Sequence, residues 1–225
     1  MRFPDEYREP LLVAARWALL AAVVGTEAAV LSMWLALVTN APPLSRPAVV
    51  AVVVLAAGLL VAHFLVDLAV NGPAVGFPLG GTLTVSVTET ALWTGWIGIV
   101  TYLGGLRGAF VGGVAFAVAL AVQHTVETNV LRSGPLTDPL VDTQTVGYSL
   151  VTAAGATVWL TLSTGLDGTE SLAALAANAG FVPETVGFVA LVAALLFEHA
   201  TVVWVARRER AETTTLHWRD YRSWM

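Results

Sequence analysis

The chain has 225 residues, 56% hydrophobic and only 12% charged, with a net charge of −5 and a mean hydropathy of +0.75. Soluble domains carry about 25% charged residues, so this composition excludes a soluble fold, and the apolar runs leave no room for a separate soluble domain. Cysteine is absent, which removes disulfides, thiolate metal sites and cysteine nucleophiles.

All 11 basic residues are Arg. An acidic, lysine-free chain dominated by Ala, Val, Thr and Gly fits a high-salt, high-GC host such as a halophilic archaeon. The arginines gather toward the termini and do not interleave with aromatics as a nucleic-acid surface requires, so no nucleic-acid partner is expected. No cleavable signal peptide is expected either, because the opening MRFPDEYREP is polar and the apolar run behind it is too long.

In chain order, residues 1–10 read as a polar head, with Pro10 suited to a first helical turn. Residues 11–39 form a first span that stops at Asn40-Ala41-Pro42-Pro43. A second span covers 47–70 and breaks at Asn71-Gly72-Pro73. Residues 72–81 are too rich in Gly and Pro for a regular helix and fit a loop or re-entrant segment. A third span, 82–103, turns at Gly104-Gly105 into an antiparallel fourth, 108–131, where Ala109, Gly113, Ala117 and Ala121 make a ladder for close helix approach. After a polar loop comes a Thr- and Ser-rich fifth span, 145–166, then a short interfacial piece near 172–179, then a sixth span, 184–206. The chain therefore reads as an all-α, polytopic helix bundle: a six-helix transmembrane domain over 1–206 and an Arg/Trp-rich cytoplasmic tail over 207–225. The excess of Arg at both ends predicts N-in, C-in orientation in the cell membrane.

Ionisable residues recur at one depth. Glu27 and His63 flank the first hairpin turn at equal distance, as do Glu89 and His124 the second, which puts each pair level. The layer lies ~27 Å along the helix axis from the outer turns, in the inner half of the bilayer. Asp67 follows His63 by four residues, Glu127 follows His124 by three, and the last span adds Glu198 and His199. Glu198 and His199 are ~100° apart around their helix, so both cannot point squarely into one site. A charge at mid-bilayer costs ~2.5–3.5 kcal/mol on insertion scales, so such groups must pair, protonate or bind an ion. The fifth span offers only the hydroxyls of Tyr148, Ser149 and Thr152.

Imidazole with carboxylate suits Zn or Fe. The pattern predicts His63, Asp67, His124, Glu127 and His199 as metal ligands. Glu27, Glu89 and Glu198 would complete the shell or serve as general base. The leading expectation is a metal-dependent, membrane-embedded enzyme acting on a lipid-soluble substrate. The alternative is a proton- or cation-coupled transporter, which at this length would need a homodimer. A sensory subunit or haem carrier is a third class, opposed by the crowded carboxylates.

Overall fold

The structure, a computed structural model, describes residues 5–39, 41–72, 79–132 and 135–223, and their side chains except those of 5–9, 207 and 209–223. These residues form seven helices: α1 (Asp5–Val38), α2 (Arg46–Asn71), α3 (Leu79–Leu103), α4 (Gly105–Leu131), α5 (Thr143–Thr164), α6 (Glu170–Asn178) and α7 (Pro183–Ser223). No strand occurs among them.

Local chemistry sets several ends. Ser45 Oγ accepts from the Ala48 amide at 3.4 Å ahead of α2, and Asp142 Oδ1 accepts from the Gln144 amide at 2.9 Å ahead of α5. Gly165, at φ 60°, closes α5 in the left-handed conformation. The α3–α4 turn consists of little more than Gly104 and Gly105, both at positive φ. The loop before α6 folds over that turn, where Leu106 N donates to Asp167 O at 3.1 Å. The backbone amides of Glu170 and Gly168 hold the exposed Glu170 carboxyl below the usual carboxylate range.

Two boundaries differ from the sequence reading. Helix α1 begins at Asp5, so Pro10 lies inside it and not in its first turn. Leu79, Gly80 and Gly81 are already helical, whereas residues 73–78 of the expected Gly/Pro break lie outside the described residues. Gly81 is used for contact: a Cβ there would sit 2.7 Å from Val130 Cγ1. The last helix continues unbroken from the sixth span through the tail to Ser223.

Five helices are long and apolar enough to cross a membrane: Pro10–Val38, Arg46–Asn71, Gly105–Leu131, Thr143–Thr164 and Pro183–Ala206. The remaining expected span, the third, is α3; it has 25 residues but is less apolar because it is rich in Thr. Several of its hydroxyls are satisfied within the helix. Thr84, Thr90 and Thr94 donate to the carbonyls of Gly80, Ser86 and Thr90 at 2.7–3.0 Å, which lowers the cost of carrying them in an apolar medium.

The six long helices close into a ring. Each packs on the next in the order α1, α2, α3, α4, α5, α7, and α7 returns to α1; α2 also touches α4 and α7 across the middle. Small residues allow this closeness: a Cβ on Gly58 of α2 would lie 2.2 Å from Val30 of α1, and one on Gly155 of α5 would lie 2.5 Å from Ala194 of α7. The expected ladder on α4 faces α5, with Gly113 against Thr157. The start of α1 and the end of α7 lie at one end of the ring, the inner end. The α1–α2, α3–α4 and α5–α7 connections lie at the outer end.

Toward the outer end the ring is filled by apolar side chains, including Leu31, Leu55, Leu59, Leu120 and Leu191. Among them Trp93 meets Trp96 and Phe116 edge to face at 5.5 and 4.8 Å. Below this plug the interior becomes polar.

Candidate metal and proton site in the membrane interior

Every helix of the ring delivers a polar side chain to one interior layer. Glu27 comes from α1, His63 from α2, Glu89 from α3, His124 and Glu127 from α4, and Glu198 and His199 from α7. All except Glu89 are no more than 6% exposed, and the Glu89 side chain is 12% exposed. Helix α5 contributes Ser149 and Thr152, both buried.

The imidazoles and carboxylates meet as three pairs. His63 Nε2 lies 2.9 Å from Glu89 Oε2, His124 Nε2 lies 3.1 Å from Glu198 Oε1, and His199 Nε2 lies 2.7 Å from Glu27 Oε2. No pair joins the two arms of a hairpin. The hairpins set depth, and ring closure chooses the partner. Adjacent Glu198 and His199 are both buried because each serves a different neighbour: one reaches α4, the other α1.

The second nitrogen of each ring decides its tautomer. Ser86 Oγ donates its only proton to Thr82 O at 2.9 Å, so toward His63 Nδ1, 2.9 Å away, it acts as acceptor. Ser149 Oγ likewise donates to Thr145 O at 2.7 Å and accepts from His124 Nδ1 at 2.7 Å. Nδ1 therefore carries hydrogen in both rings, and Nε2 is the atom aimed at the carboxylates. This is the outer-shell arrangement that orients a metal-ligating or proton-accepting imidazole. His199 differs, because its Nδ1 is buried without a partner among the described residues.

Two of the three paired carboxylates are also held from a second side. Trp93 Nε1 donates to Glu89 Oε1 at 3.1 Å, and Thr152 Oγ1 donates to Glu198 Oε2 at 2.5 Å. Glu127 is the exception among the four glutamates: its nearest imidazole, other than His124 on its own helix face, is His63 at 3.9 Å. Four carboxylates face at most three imidazolium charges, and no Arg lies in the layer. One negative charge is left over in a low-dielectric interior, where it must take a proton or a cation.

The geometry provides for a cation beside that surplus charge. One ligand atom each from His124, Glu127 and Glu198 lies within 4.8 Å of the others, and the three residues are buried. Zn–N and Zn–O bonds of ~2.0–2.2 Å put tetrahedral ligand atoms about 3.4 Å apart, so modest side-chain rotation closes the group. A divalent ion held here would neutralise Glu127 and Glu198.

Of the eight residues predicted for the site, seven enter this layer. Asp67 is buried one turn away, accepting from Asn71 Nδ2 at 2.6 Å. Glu198, expected in a catalytic or shell-completing role, stands among the potential ligands. His63 and His199 are engaged by Glu89 and Glu27 outside that group. Unforeseen contacts include Ser86 on His63, and Gln123, which reaches α3 by donating to Val85 O at 2.9 Å. A duplicated signal marks these positions: Thr26-Glu27 precedes Trp34 as Thr88-Glu89 precedes Trp96, with His63 and His124 following 36 and 35 residues after the glutamates.

No protein-family model matches this chain, and no curated protein or solved structure matches it either.

Proposed function

We propose that this chain is a metal-dependent enzyme embedded in the membrane, with a divalent ion, Zn or Fe, held by His124, Glu127 and Glu198. The observation that carries the reading is the convergence of those three side chains with the His124 tautomer already set by Ser149. The ion supplies Lewis acidity in a water-poor interior. Glu89, gripped by His63 and Trp93, is the general base, and His63 is the group with which it exchanges a proton. Glu27 and His199 form the remaining proton-sharing pair.

A lipid-soluble substrate is favoured by a groove of about 620 Å³ between α4 and α5. Its walls are apolar, and they include Ala121, one turn from His124, and Leu150, next to Ser149. A substrate diffusing in the bilayer meets small side chains there and no charge.

The second reading is a proton- or cation-coupled transporter. The specific observation in its favour is that three buried His–Glu pairs lie in one layer, with Glu127 placed between two of them, His63–Glu89 and His124–Glu198. Metal analysis of the purified chain tests the first reading: about one Zn or Fe per chain in the wild type and a large loss in His124→Ala. Wild-type protein without stoichiometric metal removes the enzyme reading. Proton-driven uptake in proteoliposomes that collapses with Glu89→Gln establishes the transporter.

A further inference from the structure

Aromatic side chains close the polar layer toward the outer end. On the outer side Trp34, Trp93, Trp96 and Phe116 are each 2% exposed or less, and their rings pack on one another. A bare cation passing such a plug loses its hydration and finds no carboxylate in exchange.

The inner side is built differently. His63, Asp67 and Asn71 follow one another on α2 at four-residue spacing, so they line one face of the helix. Asp67 is 5% exposed. Asn71, half-buried in the last turn, donates to Asp67 Oδ1 at 2.6 Å and toward Leu131 O at 3.4 Å. The latter contact joins the inner ends of α2 and α4. Leu131 lies four residues beyond Glu127, as Asn71 lies four beyond Asp67, so Asp67 comes level with Glu127. Glu127 in turn is 3.9 Å from His63.

Asp67 is thus a buried carboxylate at the inner margin of the layer, level with Glu127 and one turn below His63, outside the three pairs and outside the ligand group. Packing gives no reason for the charge, since a neutral side chain accepts from Asn71 equally well and is cheaper to bury. Resting on the metal-site reading above, we propose that Asp67 is the relay through which a divalent cation passes between the inner face and its ligands. It takes the ion from the Asn71 end, offers an anionic oxygen in place of lost water, and hands it on at Glu127.

The test is the rate of Co²⁺ loading into metal-stripped full-length protein, and of its removal by EDTA, followed by cobalt absorption. Asp67→Asn keeps an acceptor for Asn71 and deletes only the charge. Both rates are expected to fall by about tenfold or more while the equilibrium affinity changes by less than about threefold, because a relay sits on the path and not at its end. Asp67→Glu restores the rates. Unchanged rates in Asp67→Asn overturn the proposal, and so does an affinity loss as large as that of His124→Ala, which makes Asp67 a ligand. Should Asp67→Asn fail to fold, Asn71→Leu removes the rung at the inner end and is expected to slow both rates likewise; unchanged rates there overturn the proposal equally. Wild-type protein that binds no Co²⁺ sinks the metal site itself, a distinguishable outcome.

Discussion

Removing the Ser149 hydroxyl isolates one atom of the site. In Ser149→Ala the His124 Nδ1–H loses its acceptor at 2.7 Å, in a position where Ser149 is fully buried and no water replaces it easily. A buried donor left unsatisfied costs ~1–3 kcal/mol. The same loss frees the ring to rotate or change tautomer, and outer-shell substitutions of this kind lower metal affinity by ~10–100-fold. A hundredfold loss is about 2.7 kcal/mol, so the two magnitudes agree. The assay is Co²⁺ or Zn²⁺ titration in detergent beside a thermal melt. Ser86→Ala is the internal control, because it deletes the same contact from His63 at 2.9 Å, outside the ligand group. Both variants are expected to lose similar stability, but only Ser149→Ala loses about tenfold or more in affinity. Equal affinities in the two variants refute the assignment of His124 as ligand through Nε2.

Three further outcomes follow from the same geometry. Breaking the Glu27–His199 pair by Glu27→Ala is expected to destabilise the fold by ~3–5 kcal/mol, whereas replacing both partners by Leu costs less; a double-mutant cycle in melts reads the coupling, and additive losses contradict the pairing. Gly155→Ala puts a Cβ 2.5 Å from Ala194 Cβ and 2.8 Å from Ala190 O. It should force α5 from α7 at a cost of ~1–3 kcal/mol, while Gly147→Ala, with nothing within 4 Å, is neutral or slightly stabilising. Metal affinity should fall as pH falls, because ion and protons compete for one imidazole and two carboxylates. Isothermal titration across pH shows up to three protons released per ion, and a pH-independent affinity excludes this ligand set.

Much of the architecture is legible in one dimension. Apolar runs of bilayer length and their Gly and Pro stops identify helices and turns, because an isolated span must satisfy its own backbone in lipid. Equal distance from a tight turn identifies depth, because every helical residue rises by the same 1.5 Å. All four residues placed by that turn-distance rule, Glu27, His63, Glu89 and His124, lie in the interior layer.

Partnership was decided by the tertiary structure alone. Depth is a property of a single hairpin, whereas azimuth and neighbour depend on how three hairpins close into a ring. His199 finds Glu27 across 172 residues only because α7 returns to α1, and His124 finds Glu198 across the interior. Asp67 shares a helix face with His63, yet its carboxylate is turned to Asn71 one turn below. Ser86 and Ser149 look like ordinary span hydroxyls until the neighbouring helix brings an imidazole to each. Local periodicity can place a charge in the membrane; what neutralises it there is fixed by contacts between segments distant in the chain.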